Sequence, residues 1–227
     1  VTISAGNGNN IVIGDNGFVT LNAAGLLLTI DSKLVDIGGD DRITTGTGKD
    51  IAIGGFGKDI IAVGEGNNAA IGDHASFVFD EPGQYTNIKT IAPTVGDNDT
   101  ITAGSGNDIV LGGLANDEIT IIEGDNFITG DNGQLEVNAA GQVTRITTLN
   151  AADGGTDTVI TGSGMDIVFG GTAKDTIHAA NGDNVIFGDN GFATINASGK
   201  LLTVDSTDVT IGGDDVITTG SGRDIAI

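Results

Sequence analysis

Hydrophobic residues along most of this chain come in very short runs set at a regular interval. The stretch 36–75, DIGGDDRITTGTGKDIAIGGFGKDIIAVGEGNNAAIGDHA, reads as four segments of nine beginning at Asp36, Thr45, Gly54 and Val63. Each opens with a glycine-rich six-residue turn ending in Asp41, Asp50, Asp59 or Asn68. Three residues follow whose middle one is aliphatic: Ile43, Ala52, Ile61 or Ala70. The pattern predicts a turn and a very short strand in alternation. Strands of three residues cannot hold a hairpin together alone, so they must stack on copies of themselves.

The same register recurs over the whole chain. Gly14-Asp15, Gly72-Asp73, Gly130-Asp131 and Gly188-Asp189 lie 58 residues apart, as do Asp50, Asp108, Asp166 and Asp224. The chain is a gap-free tandem array of a 58-residue unit, five residues short of four copies: approximately 1–58, 59–116, 117–174 and 175–227. It is expected to form one continuous solenoid. It starts and stops inside a nonapeptide without a polar cap, so the expectation is a piece of a longer array, or chains whose ends meet.

Each unit adds to its four nonapeptides an excursion of about 20 residues, at 16–35, 74–93, 132–151 and 190–209. FVTLNAAGLLLTID (18–31) alternates on both sides of Asn22-Ala23-Ala24-Gly25, and the fourth copy repeats this around Asn196-Ala197-Ser198-Gly199. A short Gly-bearing loop between alternating runs predicts a β-hairpin. In the second copy Glu81-Pro82-Gly83 takes the turn position.

The residues flanking each aliphatic position divide into two classes. In the second and fourth nonapeptides they are largely apolar, as in Ile51 and Ile53, Ile109 and Leu111, Ile167 and Phe169; in the first and third they are largely polar, as in Arg42 and Thr44, Thr100 and Thr102, Glu118 and Thr120. With alternate nonapeptides on opposite sheets, one sheet should be wet outside and the other buried on both faces. Such an apolar face needs a cover. The candidates are the hairpin face Val19, Leu21, Leu28 and Ile30, or a neighbouring chain.

Composition narrows the function. The 227 residues carry 39 glycines, two prolines, no Cys, no Trp and a formal charge of −22. Few aromatics and many glycines argue for a thin core. The negative charge argues against nucleic acid or an anionic membrane surface as a partner, and it predicts self-repulsion that bound cations would relieve. Without cysteine there is no disulfide to mark a compartment. No apolar run approaches the roughly 18–20 residues of a membrane span, so no membrane insertion is expected. There is no basic leader followed by an apolar core, so an export signal is expected elsewhere in a longer protein or not at all.

Segment 54–62, GGFGKDIIA, resembles the GGxGxDxUx nonapeptide of the repeats-in-toxin, or haemolysin-type, calcium-binding family. The resemblance covers about two thirds of the chain and leaves out the hairpins. It implies an all-β fold: a right-handed parallel β-roll, or β-solenoid, of glycine-rich nonapeptide coils, here with one β-hairpin excursion per 58-residue repeat. It implies several Ca²⁺ ions in the turns, held by carbonyl oxygens and the sixth-position Asp. Carried onto this chain, the candidate ligands are Asp41, Asp50, Asp59, Asp99, Asp108, Asp117, Asp157, Asp166, Asp175, Asp215 and Asp224. Asp15, Asp73, Asp131 and Asp189, at the second position of the next turn, either complete a site or cap the turn. The turns ending in Asn10, Asn68, Asn126 and Asn184 depart from the motif, as weaker sites or sites closed by hydrogen bonds. Ala115 and Ala173 depart from it at the fourth-position glycine.

No catalytic set stands out. His74 and His178 fall at unrelated phases of the unit, and Ser105, Ser163 and Ser221 sit in turns without a His partner. The expected function is therefore non-enzymatic: a calcium-stiffened rod in an extracellular or cell-surface bacterial adhesin, layer or fibre. Its expected partners are neighbouring repeats, further copies of itself, or an extracellular polysaccharide. The alternative is a calcium-binding secretion or folding module of a secreted enzyme or toxin. Ice binding, suggested by Thr45-Gly46-Thr47-Gly48, needs matching threonines on every coil, and the next unit has Ala103 and Ser105 instead.

Overall fold

The computed structural model describes residues 1–80 and 84–227, which form three eight-stranded sheets. Two are parallel and make the roll. The first stacks Thr2–Ser4, Arg42–Thr44, Ile60–Val63, Thr100–Ser105, Glu118–Glu123, Thr158–Thr161, Thr176–Ala179 and Val216–Thr218. The second stacks Ile11–Ile13, Ile51–Ile53, Ala69–Ile71, Ile109–Gly113, Phe127–Asp131, Ile167–Phe169, Val185–Phe187 and Ile225–Ala226.

Register follows from the repeat. Thr2 pairs with Arg42 and Arg42 with Ile60, so coils of 40 and 18 residues alternate and every second coil carries an excursion. Each 58-residue unit is two coils.

The aliphatic positions meet between the two roll sheets, where Ile43, Ile61, Ile101 and Ile119 face Ala52, Ala70, Val110 and Ile128 in one thin, fully buried core. The first sheet turns Arg42, Thr102, Glu118 and His178 to solvent, whereas every residue of Ile51–Ile53, Ala69–Ile71, Ile167–Phe169 and Val185–Phe187 is buried. The predicted difference between a wet sheet and a doubly covered one is present.

The cover is the third sheet. The hairpins pair within themselves and also with one another: Ile30 opposite Phe77, Ile88 opposite Leu135, Ile146 opposite Ala193. Four excursions thus become one antiparallel sheet lying over the second roll sheet. Between them a second core holds Ile30, Phe77, Phe79, Tyr85, Ile88, Leu135 and Ile146 against Ile51, Ile71, Leu111, Phe169 and Phe187. Phe169 and Phe187 stack at 4.9 Å between ring centroids, and Phe77 meets Tyr85 edge-on at 6.1 Å.

One inward residue differs from the sequence expectation. Val19 pairs with Ile30, Thr20 with Thr29, but Leu21 with Leu27, so Leu28 is the extra residue of a β-bulge. A bulge inverts the facing of every residue beyond it; Leu27 packs on the core and Leu28 does not. The bulge recurs at Thr86, Thr144 and Leu202. Val19 and Leu21 lie on the edge strand of the hairpin sheet and are exposed, whereas Phe77 and Phe79, one unit on, are buried.

The hairpin turns behave as expected. The Asn22, Asn138 and Asn196 side-chain oxygens accept the backbone N–H groups two and four residues ahead, at 2.9–3.1 Å, with Gly25, Gly141 and Gly199 at φ of +76° to +80°. The turn expected at Glu81-Pro82-Gly83 lies outside the described residues.

Candidate metal sites

The turns line the two long edges of the roll, and the two edges differ in chemistry. Turns that lead into the first roll sheet end in Asp41, Asp59, Asp99, Asp117, Asp157, Asp175 and Asp215. Each of these from Asp59 onward accepts, through Oδ1, the backbone N–H of the preceding one at 2.7–2.8 Å. One edge is therefore a continuous ladder of carboxylates. The opposite edge alternates Asn10, Asp50, Asn68, Asp108, Asn126, Asp166, Asn184 and Asp224, joined the same way at 2.8–3.2 Å.

The ladders use one oxygen per carboxylate. The other, Oδ2, is buried and has no hydrogen-bond partner in Asp41, Asp50, Asp59, Asp99, Asp108, Asp117, Asp157 and Asp175. A buried carboxylate oxygen without a donor is costly. Glycine makes the room it points into: a Cβ on Gly72 would overlap both Asp99 Oδ2 and the Gly112 carbonyl oxygen. The same pairing of an Asp Oδ2 with a carbonyl oxygen recurs at Gly54, Gly112, Gly130 and Gly170.

Such an arrangement offers only hard oxygen acceptors, the donor set calcium takes. Among the described residues no three His, Asp or Glu side chains converge as a cluster, so a site here draws on backbone carbonyls as much as on carboxylates. The Asp residues of each edge, with the turn carbonyls beside them, are the groups that would hold the ions.

Electrostatics agrees. Burial, reinforced by neighbouring carboxylates, raises Asp59 and Asp175 to about 8 and Asp99 and Asp157 to about 9, and pushes Asp117 well up. On the mixed edge, burial raises Asp108 only to about 6, because hydrogen bonds from Asn68 hold it down. The all-Asp edge has the greater need of a cation.

Asp15, Asp73, Asp131 and Asp189 lie on the all-Asp edge, but their oxygens accept backbone N–H groups. Asp73 takes Asp97 at 3.3 Å and Leu114 at 2.6 Å; Asp15 takes Gly39 at 3.1 Å and Phe56 at 2.6 Å. Asp15, Asp73 and Asp131 thereby tie the loop after their hairpin to the next turn, and Asp189 holds the loop at Gly213; these bonds are compatible with either of the two roles considered. On the other edge Asp166 differs from its equivalents, since its Oδ2 accepts the Thr161 hydroxyl at 2.6 Å.

Ala115 and Ala173 keep the left-handed turn geometry of the glycine they replace, at φ of +75° and +71° against +106° at Gly57. A left-handed alanine is strained by about 1–2 kcal/mol. Ala115→Gly should therefore raise stability in calcium by about 0.5–1 kcal/mol, after the glycine's extra unfolded-state entropy; thermal unfolding reads this directly.

His74 is buried, its Nε2 bonded to the Val35 carbonyl at 2.9 Å, and it stands where the other units have Asn16, Asn132 and Asn190. Desolvation lowers its pKa. His178 is on the wet face of the first sheet, where the other units have Ser4, Ala62 and Thr120.

Comparison with known proteins decides the family. The model for the RTX calcium-binding nonapeptide repeat matches four copies, over residues 1–21, 37–69, 95–119, 160–195 and 212–226, more than half of the chain. The chain belongs to the RTX calcium-binding nonapeptide repeat family. No curated protein and no solved structure matches it significantly. RTX repeats bind several Ca²⁺ ions per array and are typical of secreted bacterial proteins. They are structural calcium-binding modules. Most of the roll strands lie in the matched ranges, although Phe127–Asp131 does not; of the hairpin strands, Gly17–Leu21 and Gly191–Ile195 lie inside them and the other six outside. Among the described residues no helix is long and apolar enough to cross a membrane.

Proposed function

We propose that this calcium-binding module is a rod segment of an extracellular bacterial adhesin, surface layer or fibre. The observation that carries the reading is the hairpin sheet. Four excursions hydrogen-bond edge to edge into one layer that runs parallel to the roll, so the rod has a second continuous sheet across every unit boundary. A segment whose only task is to fold on contact with calcium has no need of that second layer. Millimolar calcium outside the cell suits sites of the weak class, with dissociation constants of about 10⁻⁴–10⁻³ M.

Each unit adds two rungs at about 4.8 Å, a rise of roughly 10 Å. Chains lengthened by whole 58-residue units should therefore gain that much in maximum dimension per unit in calcium, by small-angle scattering. A maximum dimension that stays constant, or grows only as the cube root of mass, would contradict the rod.

A further inference from the structure

We propose that the Asn-ended turns are not calcium sites, because the side-chain NH₂ of Asn10, Asn68, Asn126 and Asn184 occupies the place of the ion. This rests on the calcium assignment of the repeats and divides the turns between metal and amide.

The orientation of each carboxamide is settled by its neighbours. The Oδ1 of Asn68, Asn126 and Asn184 accepts the backbone N–H of the Asp on the preceding coil, at 2.9–3.1 Å. The Nδ2 must then face its own turn, where only carbonyl oxygens await it. Asn68 Nδ2 donates to Gly64 at 2.9 Å and Gly66 at 3.0 Å; Asn10 Nδ2 donates to Gly6 and Gly8, both at 2.8 Å. Asn126 Nδ2 donates to the Gly124 carbonyl at 2.9 Å and to Asp166 Oδ1 on the next coil at 2.8 Å. Asn10 makes the same contact with Asp50, and Asn184 with Asp224.

Carbonyls at the second and fourth turn positions, together with a carboxylate from the next coil, are ligands of the kind calcium takes. Here a neutral group with two N–H donors satisfies them, and the Asn brings no second negative charge. Where the turn ends in Asp50 or Asp108 on the same edge, no N–H fills the corresponding place, and the buried Oδ2 stays unpartnered. Asn and Asp have nearly the same shape, so one substitution should exchange one closure for the other.

The test is a count of bound calcium in the full chain at 1 mM Ca²⁺, by equilibrium dialysis, for wild type, Asn68→Asp, Asn126→Asp, the double variant carrying both Asp substitutions, and Asn68→Ala. Each Asp variant should bind one ion more than wild type, and the double variant two more. Asn68→Ala should bind the wild-type number while its melting temperature falls in calcium. Loss of one ion in Asn68→Ala would show that the side chain is itself a ligand, and no gain in a folded Asn68→Asp would show that the turn takes no ion in either form; each overturns the proposal. Should the Asp variants fail to fold, the Asn68→Ala count decides. A wild-type chain binding no calcium would defeat the metal assignment and this proposal together, whereas a wild type with ions and unresponsive variants defeats the proposal alone.

Discussion

Stripped of calcium near pH 7.5, the chain should lose its β circular-dichroism signal, and acidifying the same sample to about pH 4 should restore it. The all-Asp edge stacks seven carboxylates on successive coils, and the interior ones are buried. Without an ion, each must either give up its charge or repel its neighbours. Burial first, and then the neighbouring carboxylates, raise Asp99 and Asp157 to about 9, and burial raises Asp59 and Asp175 to about 8, from 3.8.

The sign follows from these directions. A carboxyl whose folded pKa exceeds its unfolded one binds protons more tightly when folded, so its contribution is complete below about pH 4 and is lost as pH climbs through 8 to 9. Calcium reverses the need by replacing the protons, and its binding should release them. An ion at ten times its dissociation constant contributes about 1.4 kcal/mol. Several ions along one edge therefore match the 5–15 kcal/mol that holds an ordinary domain together. The measurement is circular dichroism in chelator across pH. A β signal that in chelator rises with pH would contradict the carboxylate account.

Phe77→Ala should be the most damaging substitution that leaves the ligands untouched. Phe77 is fully buried in the core between the hairpin sheet and the second roll sheet, against Phe79 and Tyr85. Emptying such a site costs about 3–5 kcal/mol, or a fall in melting temperature of roughly 6–20 °C for a chain of this size. Val78, the next residue, is 42 % exposed on the outer face; Val78→Ala should stay within about 0.5 kcal/mol. Scanning calorimetry of both in saturating calcium separates them. Equal effects would mean that the hairpins do not share a core with the roll.

That comparison also marks what could be read from residues alone. The apolar flanks Ile51, Ile53, Ile109 and Leu111 announce a doubly covered sheet because strand side chains alternate strictly between faces, and the structure has that sheet. The unit is two coils because Arg42 meets Ile60 at the nonapeptide spacing, with the excursion lying outside the stack. The hairpins themselves show in their alternation around Asn22 and Asn196.

What lies beyond the local pattern was harder to read. Leu28 looks inward by period two, and only the pairing of Leu21 with Leu27 reveals the bulge that turns it outward. Hairpin pairing with hairpin, as in Ile88 opposite Leu135, joins residues nearly 50 apart and leaves no trace in either strand. The same holds for the turns. Asn68 is visible as a departure from Asp, but its bonds to Gly64, Gly66 and the neighbouring coils exist only once the coils are stacked. The signal the sequence carries is the recurrence of Asn10, Asn68, Asn126 and Asn184 at every fourth nonapeptide, and so on one edge.

The central claim is that calcium, bound along the edges, holds the roll together. A calcium titration of the stripped chain near pH 7.5, followed by circular dichroism, tests it most directly. The account predicts a cooperative gain of β signal at sub-millimolar to millimolar Ca²⁺, reversed by chelator. A spectrum already folded in chelator and unchanged by calcium would contradict it.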